Sequence, residues 1–174
     1  MSELLAPLLT KEEAWAVLQG VLDPEVPVLS VVELGIVRDV VLDGVGLGLG
    51  ITVTVTPTYS GCPATEAIQG AIIGALMAAG ADRVNVRMQL APAWTTDWIA
   101  PAAAEKLRRY GIAPPHLAGS PLAAQPLRFH PRDVHCPRCD STRTEQLSAF
   151  GSTACKALYR CLACREPFDY FKPI

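Results

Sequence analysis

Cys136-Pro-Arg-Cys139 and Cys161-Leu-Ala-Cys164, with residues 140–160 between them, are two Cys-x-x-Cys hooks that decide how the C-terminal part of the chain folds. Each hook holds two thiolates on one tight turn. Two such turns on facing hairpins converge on one ion at about 2.3 Å from sulfur to metal, which predicts a zinc ribbon over residues 135–174. Four thiolates close a tetrahedron and leave no open position for chemistry, so the site reads as structural. Zinc is the first ion and iron the second, since four soft thiolates suit either. An electron-transfer iron site usually has glycine-softened knuckles, whereas Asp140 and Arg165 follow the hooks here. Two disulfides in a secreted chain are the alternative. The N-terminal stretch Met1–Trp15 has early acids and no basic segment before an apolar core, which predicts no export signal and a reducing cytoplasm.

Composition bounds what lies upstream. The 174 residues exceed one small domain, half of them are hydrophobic, and the net charge is −2 with a pI near 5.9. That balance lacks the electrostatic footprint of a nucleic-acid binder. The most apolar region, Ile68 to Ala81, is interrupted by three glycines and has helical periodicity, so it reads as a buried helix rather than a membrane span.

Working toward the N-terminus, residues 113–134 hold Pro114, Pro115, Pro121, Pro126 and Pro131 with Gly119 and Ser120, a composition that predicts a linker. Residues 1–112 read as α-β-β-α-β-α. Thr10-Lys-Glu-Glu13 matches a capping box and starts a helix with Trp15, Leu18 and Leu22 on one face, stopped by Asp23-Pro24. Ile36 to Leu42 and Leu49 to Val55 form a hairpin across a glycine-rich turn. Ile68, Ile72, Leu76 and Ala79 line a second helix capped at Gly80, Val84 to Leu90 returns as a strand, and Pro101 to Tyr110 is a last helix. The fold class is therefore α+β, a small two-layer domain followed by a four-cysteine ribbon.

Cys62 is the second chemical feature. It lies in Thr56-Pro-Thr-Tyr-Ser-Gly-Cys-Pro63, between a strand end and a helix start. With Pro63 at the first helical position, Cys62 falls at or next to the N-cap, where unpaired amides and the helix dipole favour an anionic thiol. Such a thiolate is a soft ligand or nucleophile; the plainer reading is a quiet capping cysteine. Asp23 and Glu25, in Asp23-Pro-Glu-Val-Pro27, offer carboxylates for metal or partner contacts, or simply form the turn. Trp94-Thr-Thr-Asp-Trp98 plugs a core edge or anchors an interface. Cys155 makes no hook and is at most a competing ligand.

Asp23-Pro-Glu-Val-Pro27, Glu33-Leu-Gly-Ile-Val-Arg38, the Cys62 loop and Trp94-Thr-Thr-Asp-Trp98 together resemble the SufT-like family of iron-sulfur cluster assembly proteins, over about residues 10 to 112. With the ribbon and Phe150-Gly-Ser-Thr-Ala-Cys-Lys-Ala-Leu-Tyr-Arg-Cys161, the whole chain resembles the PaaD family, accessory components that accompany bacterial phenylacetyl-CoA epoxidase. The resemblance implies a non-catalytic accessory protein that assists insertion of iron or an iron-sulfur unit into a multicomponent di-iron monooxygenase. It makes Cys62 the functional thiol, holding iron or Fe-S transiently, and Asp23 with Glu25 an acidic turn. The implied partners are the epoxidase subunits, its iron-sulfur reductase and a second copy of the chain. An electron-transferring or structural subunit of the oxygenase, and a nucleic-acid-binding regulator, are the competing classes.

Overall fold

The computed structural model describes residues 9–43, 48–59, 61–115 and 134–173. They fall into two compact units, Met1–Trp94 and Thr95–Ile174.

The first unit contains α1 (Lys11–Gln19), β1 (Val37–Asp43), β2 (Gly50–Val55), α2 (Thr65–Ala78) and β3 (Arg83–Met88). The capping box forms as the sequence predicts: Thr10 Oγ1 accepts from the Glu13 amide at 3.2 Å, and Glu13 Oε2 accepts from the Thr10 amide at 2.8 Å. α1 then ends at Gln19, before the Asp23-Pro24 stop. Leu22, placed by periodicity on the buried face, therefore lies beyond the helix and is exposed, while Ala14 and Leu18 are buried.

The sheet order is β1-β2-β3, with β1 and β2 antiparallel and β2 and β3 parallel through α2. Alternation puts Ile51, Val53 and Val55 of β2 in the core, and the 3.6-residue repeat of α2 buries Ile68, Ile72 and Leu76. α1 packs on α2 and β1, and α2 packs on β3. Gly80 closes α2 in the left-handed region at φ 109°: its amide donates to Met77 O and the Ala81 amide to Leu76 O, the paired bonds of a Schellman motif. Trp94 is buried and its Nε1 donates to Leu34 O at 2.9 Å, which fastens the end of the unit to the turn before β1.

The second unit contains a 3-10 turn (Thr96–Trp98), α3 (Pro101–Tyr110), β4 (Ile112–Ala113), β5 (Thr144–Ser148), β6 (Lys156–Cys161) and β7 (Pro167–Phe171). Its sheet order is β4-β7-β6-β5. A sequence boundary at residue 112 groups α3 with the first three strands. By compactness α3 belongs with the ribbon instead, because the short β4 that follows it pairs in parallel with β7, Ile112 opposite Asp169 and Ala113 opposite Tyr170. Most of the linker, residues 116–133, lies outside the described residues; its flanks, Ala113 and Val134, are both buried in the ribbon core.

Candidate metal centre and the Cys62 loop

The ribbon's chemistry follows from two turns that each return the chain on itself. The Asp140 amide donates to Cys136 O and the Cys136 amide to Ser141 O, which folds the first hook, and the Cys161 amide donates to Glu166 O across the second. Asp140 (φ 59°) and Arg165 (φ 67°), the residues after the second cysteine of each hook, are both left-handed. The ribbon core is small: Ala113, Val134, Ala157, Phe168 and Tyr170 with the ligand residues Cys136 and Cys161 themselves. Tyr159 packs against it, stacked on Phe168 at 5.9 Å between ring centres and edge-on to Tyr170 at 5.5 Å.

Within this frame the Sγ atoms of Cys136, Cys139, Cys161 and Cys164 lie within 4.8 Å of one another. Cys136 and Cys164 Sγ are 3.7 Å apart, Cys139 and Cys161 Sγ 3.5 Å. A tetrahedron of sulfurs about 2.3 Å from a central ion has edges of about 3.8 Å, so the four thiols fit a tetrathiolate ion. A disulfide needs about 2.05 Å, and all four are free cysteines. The Cys164 amide donates to Cys161 Sγ at 3.4 Å. With the Ala163 amide it brings the Cys161 thiol down to about 6, while burial pushes the Cys136 thiol up. One thiolate thus forms ahead of the others, and an incoming cation displaces the remaining protons.

Cys155 is not part of this group. It is buried, and its Sγ is 3.1 Å from Thr153 Oγ1. Nor did sequence reasoning anticipate Lys156, which is buried on β6 with Nζ 3.6 Å from Asp169 Oδ2 on β7.

The Cys62 loop leaves the carboxyl end of the central strand β2. The Thr56 amide donates to Ile36 O, Gly61 turns the chain at φ 91°, and Cys62 is half-buried. The expected cap is displaced. α2 begins at Thr65 with Ala64 as N-cap, so Cys62 lies two residues ahead of the cap, in a turn where its amide donates to Tyr59 O and its carbonyl accepts from the Thr65 amide. Beneath the loop, Ile36, Val55, Pro57, Thr65, Ile68, Gln69 and Met88 leave only about 10 Å³. Thr56 Oγ1 is buried there with no hydrogen-bond partner among the described residues.

Asp23 is buried, and its Oδ1 accepts from the amides of Glu25 and Val26, both at 2.8 Å, so it builds the turn after α1; Glu25 is half-buried. A second reciprocal box follows: Glu33 Oε2 accepts from the Ser30 amide and Ser30 Oγ from the Glu33 amide. Its signature, Ser30-Val-Val-Glu33, is readable in the sequence, but it closes a turn and no helix follows it.

Both halves of the chain match known families. Residues 11–88 match the iron-sulfur cluster assembly protein family, and residues 123–172 match the PaaD zinc beta ribbon domain. A protein of Escherichia coli (strain K12), named as the D component of 1,2-phenylacetyl-CoA epoxidase, is 55% identical over 163 residues, covering 93% of this chain and 92% of its own. The chain belongs to the PaaD family. Among solved structures, a DUF59 domain from Bacillus anthracis (TM-score 0.50, 26% identity) covers 56% of this chain and 90% of its own. A conserved hypothetical protein from Thermotoga maritima (TM-score 0.50, 30% identity) covers 59% and 98%. In this PaaD family member, Asp23, Glu25 and Cys62 fall inside the assembly match and the four-thiol group inside the ribbon match.

Proposed function

We propose that the chain is a non-catalytic maturation factor for phenylacetyl-CoA epoxidase, in which Cys62 holds iron or an iron-sulfur unit transiently and the ribbon serves as a zinc-stabilised docking module. The observation that carries the reading is the separation of two kinds of thiol. Four sulfurs are spaced to close on one ion, whereas Cys62 stands half-exposed on a loop of the assembly-family unit. A closed tetrathiolate offers neither a substrate position nor an easily surrendered ion. A single surface thiol, paired with another from a second copy or from the client, binds weakly enough to give its cargo away. The clients on this reading are the epoxidase subunits or the iron-sulfur reductase, met in the cytoplasm. Among the described residues no helix is long and apolar enough to cross a membrane.

The test is to prepare the epoxidase with and without this chain and to assay its iron and turnover; dependence of iron content on the chain is the expected result. The competing reading, an electron-transferring subunit, needs iron in the ribbon. A tetrahedral thiolate set accepts iron as readily as zinc, so the spectrum decides: a colourless purified chain containing zinc supports the maturation reading, and a red one supports electron transfer.

A further inference from the structure

The ribbon carries a cationic face that its metal centre does not use. Residues 1–94 hold ten acidic and four basic side chains, whereas residues 95–174 hold seven and eleven. Part of that excess gathers at the second hook, where Arg143, Arg160, Cys161, Leu162 and Arg165 line a cleft of about 360 Å³. Arg160 is held by Glu145 of the neighbouring strand, whose Oε1 accepts from its Nε at 2.8 Å. The guanidinium groups of Arg143 and Arg165 have no carboxylate partner among the described residues. Leu162 is 43% exposed beside them.

The backbone of Arg165 adds an independent observation. Its φ of 67° is one that an L side chain adopts at a cost and glycine adopts freely. Asp140, its counterpart in the first hook, offsets that cost locally, since its Oδ1 accepts from Arg108 Nη1 at 3.3 Å and lies 3.2 Å from His135 Nδ1. Arg165 has no such contact among the described residues. A strained position occupied by a side chain with nothing to hold inside the chain points to a use outside it.

We infer that Arg143, Leu162 and Arg165 form a docking surface for an acidic segment of a partner protein, its carboxylates on the two guanidiniums and an apolar side chain on Leu162. Planar guanidinium forks match carboxylates, and an apolar centre rimmed by arginine is the anatomy of a protein interface. A nucleic acid calls for a broader basic surface than residues 134–173 supply with six basic and four acidic side chains. The partner's identity as an epoxidase subunit or its reductase rests on the function proposed above.

The test uses the full zinc-loaded chain and the purified epoxidase subunits and reductase. Arg143→Glu with Arg165→Glu should weaken binding tenfold or more and flatten its dependence on salt, with zinc content unchanged. Arg138→Glu, one such reversal on the first hook, should leave binding within twofold, whereas Arg143→Glu or Arg165→Glu alone should each weaken it more than that. Leu162→Ser should weaken binding without altering the salt slope. The inference is overturned by undiminished binding in the double variant, by equal loss in Arg138→Glu, or by loss of zinc in the double variant, which would assign the arginines to the metal centre. Tight binding of duplex DNA at the same residues, or no binding of any subunit by the wild-type chain, overturns it as well. Iron loading separates the two claims. If the epoxidase still requires the chain but accepts the double variant equally, only the surface fails; if it does not require the chain, the function fails.

Discussion

Asp140 and Arg165 occupy the same left-handed backbone position, one after each hook, at φ 59° and 67°. Both turns adopt this conformation just after their second cysteine, and neither uses glycine, the residue that adopts it most easily. Asp140 gains contacts with Arg108 and His135 in exchange, and Arg165 gains none among the described residues. Arg165→Gly should therefore stabilise the ribbon by about 0.5–1 kcal/mol, after the entropy glycine adds to the unfolded chain. Asp140→Gly should be neutral or worse. Thermal unfolding of the zinc-loaded chain with each substitution measures both.

The tetrathiolate supplies most of the ribbon's cohesion, because the apolar core is a handful of residues and includes two of the ligands. Cys136→Ser should unfold the ribbon, since metal binding contributes roughly 10 kcal/mol or more to modules of this size. The unit formed by residues 9–94 should persist. Limited proteolysis with parallel zinc analysis reads both outcomes.

Metal uptake should show the head start of Cys161. If the hook keeps its fold without metal, a thiol depressed to about 6 is already ionised at pH 7.5 and uptake should release about three protons; uptake coupled to folding of the ribbon should release close to four. Its contribution to stability is present above the ordinary thiol range and is lost as the pH falls through about 6. Below that value the fourth proton must also be displaced, and metal affinity should fall more steeply with acid. Calorimetry of zinc binding in buffers of different ionisation enthalpy counts the protons.

Lys156 and Asp169 test the ribbon's other buried feature. Asp169→Asn removes the carboxylate that lies 3.6 Å from the buried Lys156 ammonium and should lower the denaturation midpoint at constant zinc content.

What the sequence made legible was local. The hook spacing, the Thr10–Glu13 box and Gly80 after α2 each need only residues a few positions apart, and all three form. What escaped depends on pairing between distant segments. Lys156 meets Asp169 because β6 and β7 place Lys156 opposite Phe171, which makes Asp169 its diagonal neighbour on the same face. The two-residue β4 that joins α3 to the ribbon is too short for any periodic signal. Cys62 lies two residues ahead of the cap rather than at or next to it because Pro63, a first-position signal in many helices, here belongs to the turn before it.

That displacement changes what a Cys62 variant tests. The loop around Cys62 uses its main chain, the amide on Tyr59 O and the carbonyl for the Thr65 amide, so Cys62→Ser should keep the fold and remove only the thiol. The direct measurement is the iron content and turnover of epoxidase produced with the wild-type chain, with the Cys62→Ser chain and with no chain. On the maturation account the wild-type chain gives iron-loaded, active epoxidase, and the other two preparations are comparably depleted and inactive. Full iron loading with Cys62→Ser would contradict the role assigned to that thiol, and full loading with no chain at all would contradict the account as a whole.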